Sequence, residues 1–156
     1  MEEYVIIWRG NFTYDEVIED EGDDDSEEIY AITHEPPIRD SKTKYIGLAY
    51  RQNIGDRLKS SHTADEYLFE KYGERSIRYY LGRVELKKIG QIRSEQRLYE
   101  IESAMIYYHY NIEDILEANI QSTSSYNGRD LRILNRGKVP PRIVDFKVVD
   151  DSWFEI

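Results

Sequence analysis

A carboxylate on the margin of a buried helical stripe offers the first chemistry. Leu98, Ile101, Met105 and Tyr108 recur at helical spacing, and Glu102 falls four residues after Leu98 and one after Ile101. An unpaired acid at that position is costly, and a metal ion would supply its partner. A single carboxylate suits a hard, oxygen-loving cation such as Mg²⁺ (or Mn²⁺), which keeps waters in its shell, and it points to one metal rather than two. Arg57 carries a planar fork of donors that matches a phosphate. Tyr30 and Tyr45 are harder to use unaided, because a phenol of ordinary pKa, about 10, is a poor base at neutral pH. A nearby metal would lower that value, or the phenol would orient a water. Any one of the 14 tyrosines taken alone is more often a packing residue, and Glu102 taken alone is a partly buried acid paired with an arginine.

The elements that must position these groups can be read from pattern. Tyr4 to Trp8 (YVIIW) reads as a strand. Asp15 to Glu28 holds the run EDEGDDDSEE, a block of like charges read as a flexible, solvated loop. The run lacks the acid spacing of a calcium-binding loop. Ile29 to Thr33 and Lys44 to Tyr50 read as a hairpin pair of strands about the Pro36–Thr43 turn. Asn53 caps a short helix, and Thr63-Ala64-Asp65-Glu66 has capping-box spacing for a second helix ending near Gly73. Ser76 to Leu86 reads as a strand. Ser94 caps the helix that bears Glu102, with a short helical turn over Ile112 to Glu117. SSYNGRD and LNRGKVPPR read as loops, and Arg142 to Val149 as a last strand. The expected fold is α/β, more closely α+β: one domain with a small, mainly antiparallel sheet flanked by helices and extended by strands at both termini.

Composition sets the class of partner. The chain has 156 residues, no cysteine and a formal charge of −10, which predicts an intracellular, cytoplasmic protein with no disulfide framework or thiolate metal site. No apolar run approaches the ~20 residues of a membrane span, and no secretion signal is evident. The charge is uneven. Residues 1–40 hold 14 of the 31 acids and 2 of the 21 bases, which leaves 17 acids and 19 bases for residues 41–156. The body of the chain is thus slightly basic and compatible with nucleic acid. Arg51, Lys59, Lys87, Lys88 and Arg129 are the cations expected to contact it, with Tyr79 and Tyr80 interleaved as stacking or packing rings. His109 reads as a surface or packing histidine.

Glu28-Ile29-Tyr30 and Tyr45-Ile46-Gly47, followed by IGLAYRQNIGDRLKSSH, resemble the paired tripeptides and arginine-bearing helix of the GIY-YIG endonucleases. The second tripeptide is intact, while Glu28 stands where the family has Gly. Arg57 fits the helix arginine. His62 lies five residues beyond it instead of the usual four. Glu102 fits the helical glutamate and Asn119 the asparagine after it, with Asn111 and Asn127 as weaker matches. The resemblance spans residues 28–130, leaving an acidic loop at 15–28 and an extension at 131–156. It implies a nuclease-like fold and a metal-dependent DNA endonuclease. Glu102 would hold Mg²⁺, Tyr30 would activate water, Tyr45 would support the nucleophile or phosphate, and Arg57 would stabilise the phosphate. DNA is the implied partner and no membrane is involved. Loops, a protein partner, a homodimer or DNA structure would supply specificity, and the acidic block would compete with DNA for the basic face. The rival readings are an inactive nucleic-acid-binding module of the same fold and an acidic protein-interaction domain.

Overall fold

The hydrophobic runs become strands of one sheet. The computed structural model describes residues 1–60, 63–86, 94–113 and 115–156. Its strands are β1 (Glu2–Phe12), β2 (Ile29–His34), β3 (Lys42–Leu48), β4 (Ile77–Leu86), β5 (Leu131–Gly137), β6 (Phe146–Val149) and β7 (Ser152–Glu155). They lie in the order β3-β2-β4-β1-β5-β6-β7. β1 and β5 run parallel, and every other neighbouring pair is antiparallel. Helices α1 (Tyr14–Glu19), α2 (Ile54–Lys59), α3 (Thr63–Tyr72) and α4 (Glu95–Glu113) complete a mixed α+β architecture. The sheet is larger than expected, because Leu134 to Gly137, read as loop, belongs to β5, and β7 follows β6, which takes the second half of the expected Arg142–Val149 strand. No described helix is long and apolar enough to cross a membrane.

Strand periodicity divides the core into two layers. Along β2, Ile29 and Ala31 face α4 with Tyr4, Ile6 and Trp8 of β1, and pack with Leu98, Ile101, Met105 and Tyr108. The alternate residues Tyr30 and Ile32 face the other helices, among Val17, Ile54, Leu58 and Leu68. α2 and α4 therefore lie on opposite faces of the sheet, and their side chains can meet only around its β3 edge. Of the three caps expected from sequence, two are formed, while Thr63 is the first residue within α3 and not its cap. Asn53 accepts from the Asp56 N–H at 2.7 Å and Ser94 from the Arg97 N–H at 3.2 Å.

The acidic block is not a loose loop. Thr13 and Glu16 form a reciprocal capping box that starts α1, Val17 is fully buried, and Glu21–Asp23 make a 3₁₀ turn. Gly22 then meets α2 backbone to backbone: a Cβ added there would lie 2.6 Å from the Gly55 nitrogen. Arg9 ties down the far end, its Nε 2.8 Å from Glu27 Oε2. Most of the charges stay on the outside, although Glu27 and Glu28 are buried, and a short apolar and small-residue seam docks the segment on the helix that carries Arg57.

His109 is a fully buried packing residue, and its tautomer follows from its neighbours. Nδ1 lies 2.8 Å from the Met105 carbonyl, an acceptor, so it carries the proton. Nε2 accepts from the Val144 N–H at 3.1 Å, so it is bare. Burial lowers its pKa to about 4, outweighing the Met105 hydrogen bond. A histidine depressed in the folded state contributes stability above its unfolded pKa, and that contribution is lost as pH falls from about 6.5 toward 4. The His109 ring resonances are accordingly expected to stay constant by NMR from pH 8 to about 5. A midpoint near 6.5 would show that the ring is solvated.

Candidate functional site

The β2–β3 hairpin brings the two tyrosines together. Tyr30 pairs with Gly47 across the hairpin, and its ring lies over the glycine: a Cβ at Gly47 would come within 2.4 Å of Tyr30 Cζ and 2.7 Å of Tyr45 Cε1. Only a residue without a side chain leaves room for both rings. Their centroids are 6.0 Å apart. The register slips between Ile32 and Thr33, so that Ile32 opposes Tyr45 while Thr33 opposes Thr43, and Lys44 is the extra residue of a bulge. Glu28, where the family motif has Gly, opens β2 with its N–H on the Gly82 carbonyl and its carbonyl on the Ala49 N–H. It is not among the residues of positive φ, so nothing in the backbone there requires glycine.

Around the β3 edge lies a cleft of about 520 Å³. Tyr45 reaches it from the sheet, Arg57 from α2, Glu102 from α4 and Asn119 from the segment beyond α4. Burial raises the Glu102 carboxyl to about 7, opposed by the Arg57 charge. Among the described residues Arg57 is the cation whose charge acts on Glu102. Burial also pushes the Tyr30 hydroxyl well up, helped by Tyr45 and opposed by Arg57. The Tyr45 hydroxyl rises through burial and then through Glu102, again against Arg57. Both phenols are therefore neutral O–H groups at physiological pH, able to orient a water but not preformed bases.

Asn119 has a structural task at this site. Its side-chain amide pairs with the Ile46 backbone twice, Oδ1 accepting from the N–H and Nδ2 donating to the carbonyl, both at 3.0 Å. Upstream the Leu116 and Ala118 N–H groups donate to the Thr43 and Lys44 carbonyls, each at 3.0 Å. The segment thus covers the open edge of β3 and forms one wall of the cleft.

A second carboxylate in the cleft, Glu117, was not evident from sequence. Burial opposes its charge, but hydrogen bonds from Lys44, Lys71 and Tyr72 outweigh that and hold it at about 2. Lys44 Nζ lies 2.8 Å from Oε1, Lys71 and Tyr72 also donate to it, and Tyr67 donates at 3.0 Å. This acid is fully engaged. Lys71 lies one helical turn beyond Tyr67 on α3, a spacing visible in the sequence, but their partner lies 46 residues further along.

Of the other residues singled out from sequence, His62, Lys87 and Lys88 lie outside the described residues. Lys59 is exposed, 3.9 Å from Asp56. Arg51 is exposed over the Tyr50 ring, and Arg129 pairs with Glu100 at 3.1 Å. Tyr79 and Tyr80 are buried, so their role is packing and not base stacking. Asn111 bonds the Tyr107 and Thr123 carbonyls away from the cleft, and Asn127 lines a different depression. Comparison with protein-family models, curated proteins and solved structures gave no match to this chain.

Proposed function

We propose that the chain is a metal-dependent DNA endonuclease of the GIY-YIG kind, hydrolysing phosphodiesters at the Glu102 cleft. The observation that carries this reading is the desolvated Glu102 carboxyl, raised to about 7, in one cleft with the Arg57 guanidinium and the Tyr45 phenol. A carboxylate lacking sufficient countercharge is where a divalent cation adds most. Among the described residues no three acids or histidines converge to cage a metal, and Glu117 is engaged by its own partners. That donor set fits Mg²⁺ (or Mn²⁺), which is commonly held by one or two carboxylates together with water and substrate phosphate.

Glu102 would hold the cation, which when bound supplies charge neutralisation for the phosphoryl oxygens. Arg57 grips a non-bridging oxygen pair through its fork of donors. Tyr30, buried and packed against the Tyr45 ring, holds that phenol in place, and Tyr45 at the cleft surface orients the attacking water. The support for Tyr30 is thus for positioning, one step behind the water.

Cleavage of supercoiled plasmid, linear duplex and branched duplex, each with Mg²⁺ or EDTA, tests the reading. Cutting is expected with Mg²⁺ alone, and Arg57→Ala should slow it by roughly 10²-fold or more. Salt-sensitive binding with no cutting of any substrate would make the chain a binding module. Neither binding nor cutting would favour a protein-interaction domain.

A further inference from the structure

A second, larger depression adjoins the Glu102 cleft, with a cavity volume of about 930 Å³. The two share Ser122, whose hydroxyl donates to Ser103 at 3.2 Å and forms a thin polar bridge between them. Both open onto one face of α4, where Tyr99 stands one turn before Glu102, about 5 Å along the axis. The two depressions are thus neighbours along α4, meeting at Ser122.

The chemistry of the second depression differs from that of the first. Tyr50, Tyr99 and Tyr126 supply ring surface, and Gln96, Ser125 and Asn127 supply neutral donors and acceptors. The Tyr99 ring is 50% exposed on a well-formed helix. Three charged groups line it: Glu100 is held by Arg129 at 3.1 Å, Arg51 lies over Tyr50, and Glu95 stands exposed at the start of α4. Such a surface has little to offer the phosphates of a duplex, which need a basic stripe. Stacking faces beside neutral hydrogen-bonding groups suit base planes and their edges, which are available only when bases are unpaired. The lining of the Glu102 cleft adds one more half-exposed ring, Tyr67, at 44%.

Resting on the endonuclease reading, we infer that this depression receives unpaired bases next to the phosphate gripped by Arg57 in the Glu102 cleft. The substrate class is a nucleic acid with an unpaired strand, either single-stranded or branched, and not a continuous duplex. Tyr99 is the principal stacking platform.

The experiment is fluorescence anisotropy in EDTA with three labelled probes: a single strand, its blunt duplex, and that duplex with an unpaired arm. The two probes with unpaired bases are expected to bind at least about 10-fold tighter than the blunt duplex. Tyr99→Ala should remove roughly 10-fold of that preference, and Tyr99→Phe, which keeps the ring, should retain it. Equal or tighter duplex binding, or no effect of Tyr99→Ala, overturns the inference. Binding in EDTA is independent of cutting, so the two readings fail separately. Duplex cleavage without any unpaired-strand preference sinks only this inference. Tyr99-dependent strand binding with no Mg²⁺-dependent cutting supports it and sinks only the nuclease reading.

Discussion

Glu102→Gln is expected to raise the thermal midpoint at pH 8 by about 5–10 °C while slowing cleavage roughly 10³-fold. The stabilisation follows from the carboxyl's environment. Its folded-state pKa is about 7 against an ordinary 4.5. A carboxyl raised on folding binds its proton more tightly in the folded chain. It therefore costs nothing below pH ~4.5, and stability declines as pH rises through 7. Two to three pKa units correspond to about 3 kcal/mol of destabilisation above pH 7. Glutamine keeps the shape and removes the charge, so the gap between variant and wild type should open at pH 8 and nearly close by pH 5. Mg²⁺ should narrow it at pH 8 by stabilising the wild type alone, because a ligand that binds only the folded state adds to its stability. Thermal denaturation of both proteins at the two pH values, with and without Mg²⁺, measures all of this. A gap independent of pH, or equal stabilisation of both proteins by Mg²⁺, would remove Glu102 from the proposed metal site.

Gly47→Ala is expected to cost about 3 kcal/mol, far more than one methyl group ordinarily does in a strand. Tyr30 is fully buried, so its ring cannot swing into solvent to escape a Cβ 2.4 Å away. Either the ring pair or the hairpin must shift, and in both cases Tyr45 leaves its place at the cleft. Urea denaturation should show the lost stability, and Mg²⁺-dependent cleavage should fall with it. The cause can be isolated with a double-mutant cycle. In a Tyr30→Leu background the same change should cost less than about 1 kcal/mol, because the nearest ring is gone and the Tyr45 ring, otherwise 2.7 Å from the new Cβ, can turn into the space it leaves. An equal cost in both backgrounds would place the strain in the backbone and not in the ring.

These two sites show what sequence pattern conveys and where it stops. The elements nearest the cleft were legible because their signals are local. The β2 and β3 runs flank a proline turn, Asn53 and Ser94 mark helix starts, and the Leu98–Tyr108 stripe shows which side of α4 is buried. β5 was not legible. Its alternation of Leu131, Ile133 and Asn135 with Arg132, Leu134 and Arg136 is short, lies between loop-like segments, and is satisfied by β1 more than 120 residues away. α1 was obscured by charge, although Thr13 and Glu16 have the spacing of the capping box they form. Tyr45, Arg57, Glu102 and Asn119 were named from sequence and line the cleft, and Tyr30, named with them, lies buried behind Tyr45. The pairing of Asn119 with the Ile46 backbone has no sequence signature, since any polar loop residue would look the same. Lys44 and Glu117 needed the bulge and the edge segment to be in place before they could meet.

That edge segment also gives the molecule a timetable. Residues 116–119 finish the sheet margin and close the cleft in the same act, so a nascent chain still lacking them has neither. During synthesis, at roughly 5–20 residues per second, Tyr30 and Tyr45 emerge several seconds before Glu102 and Asn119. A chain released early, or one that has lost this clasp, would be inert toward its substrate and would at the same time offer β3 as a bare template to other chains. Catalytic incompetence and a tendency to aggregate would then appear together, as two faces of one unfinished contact.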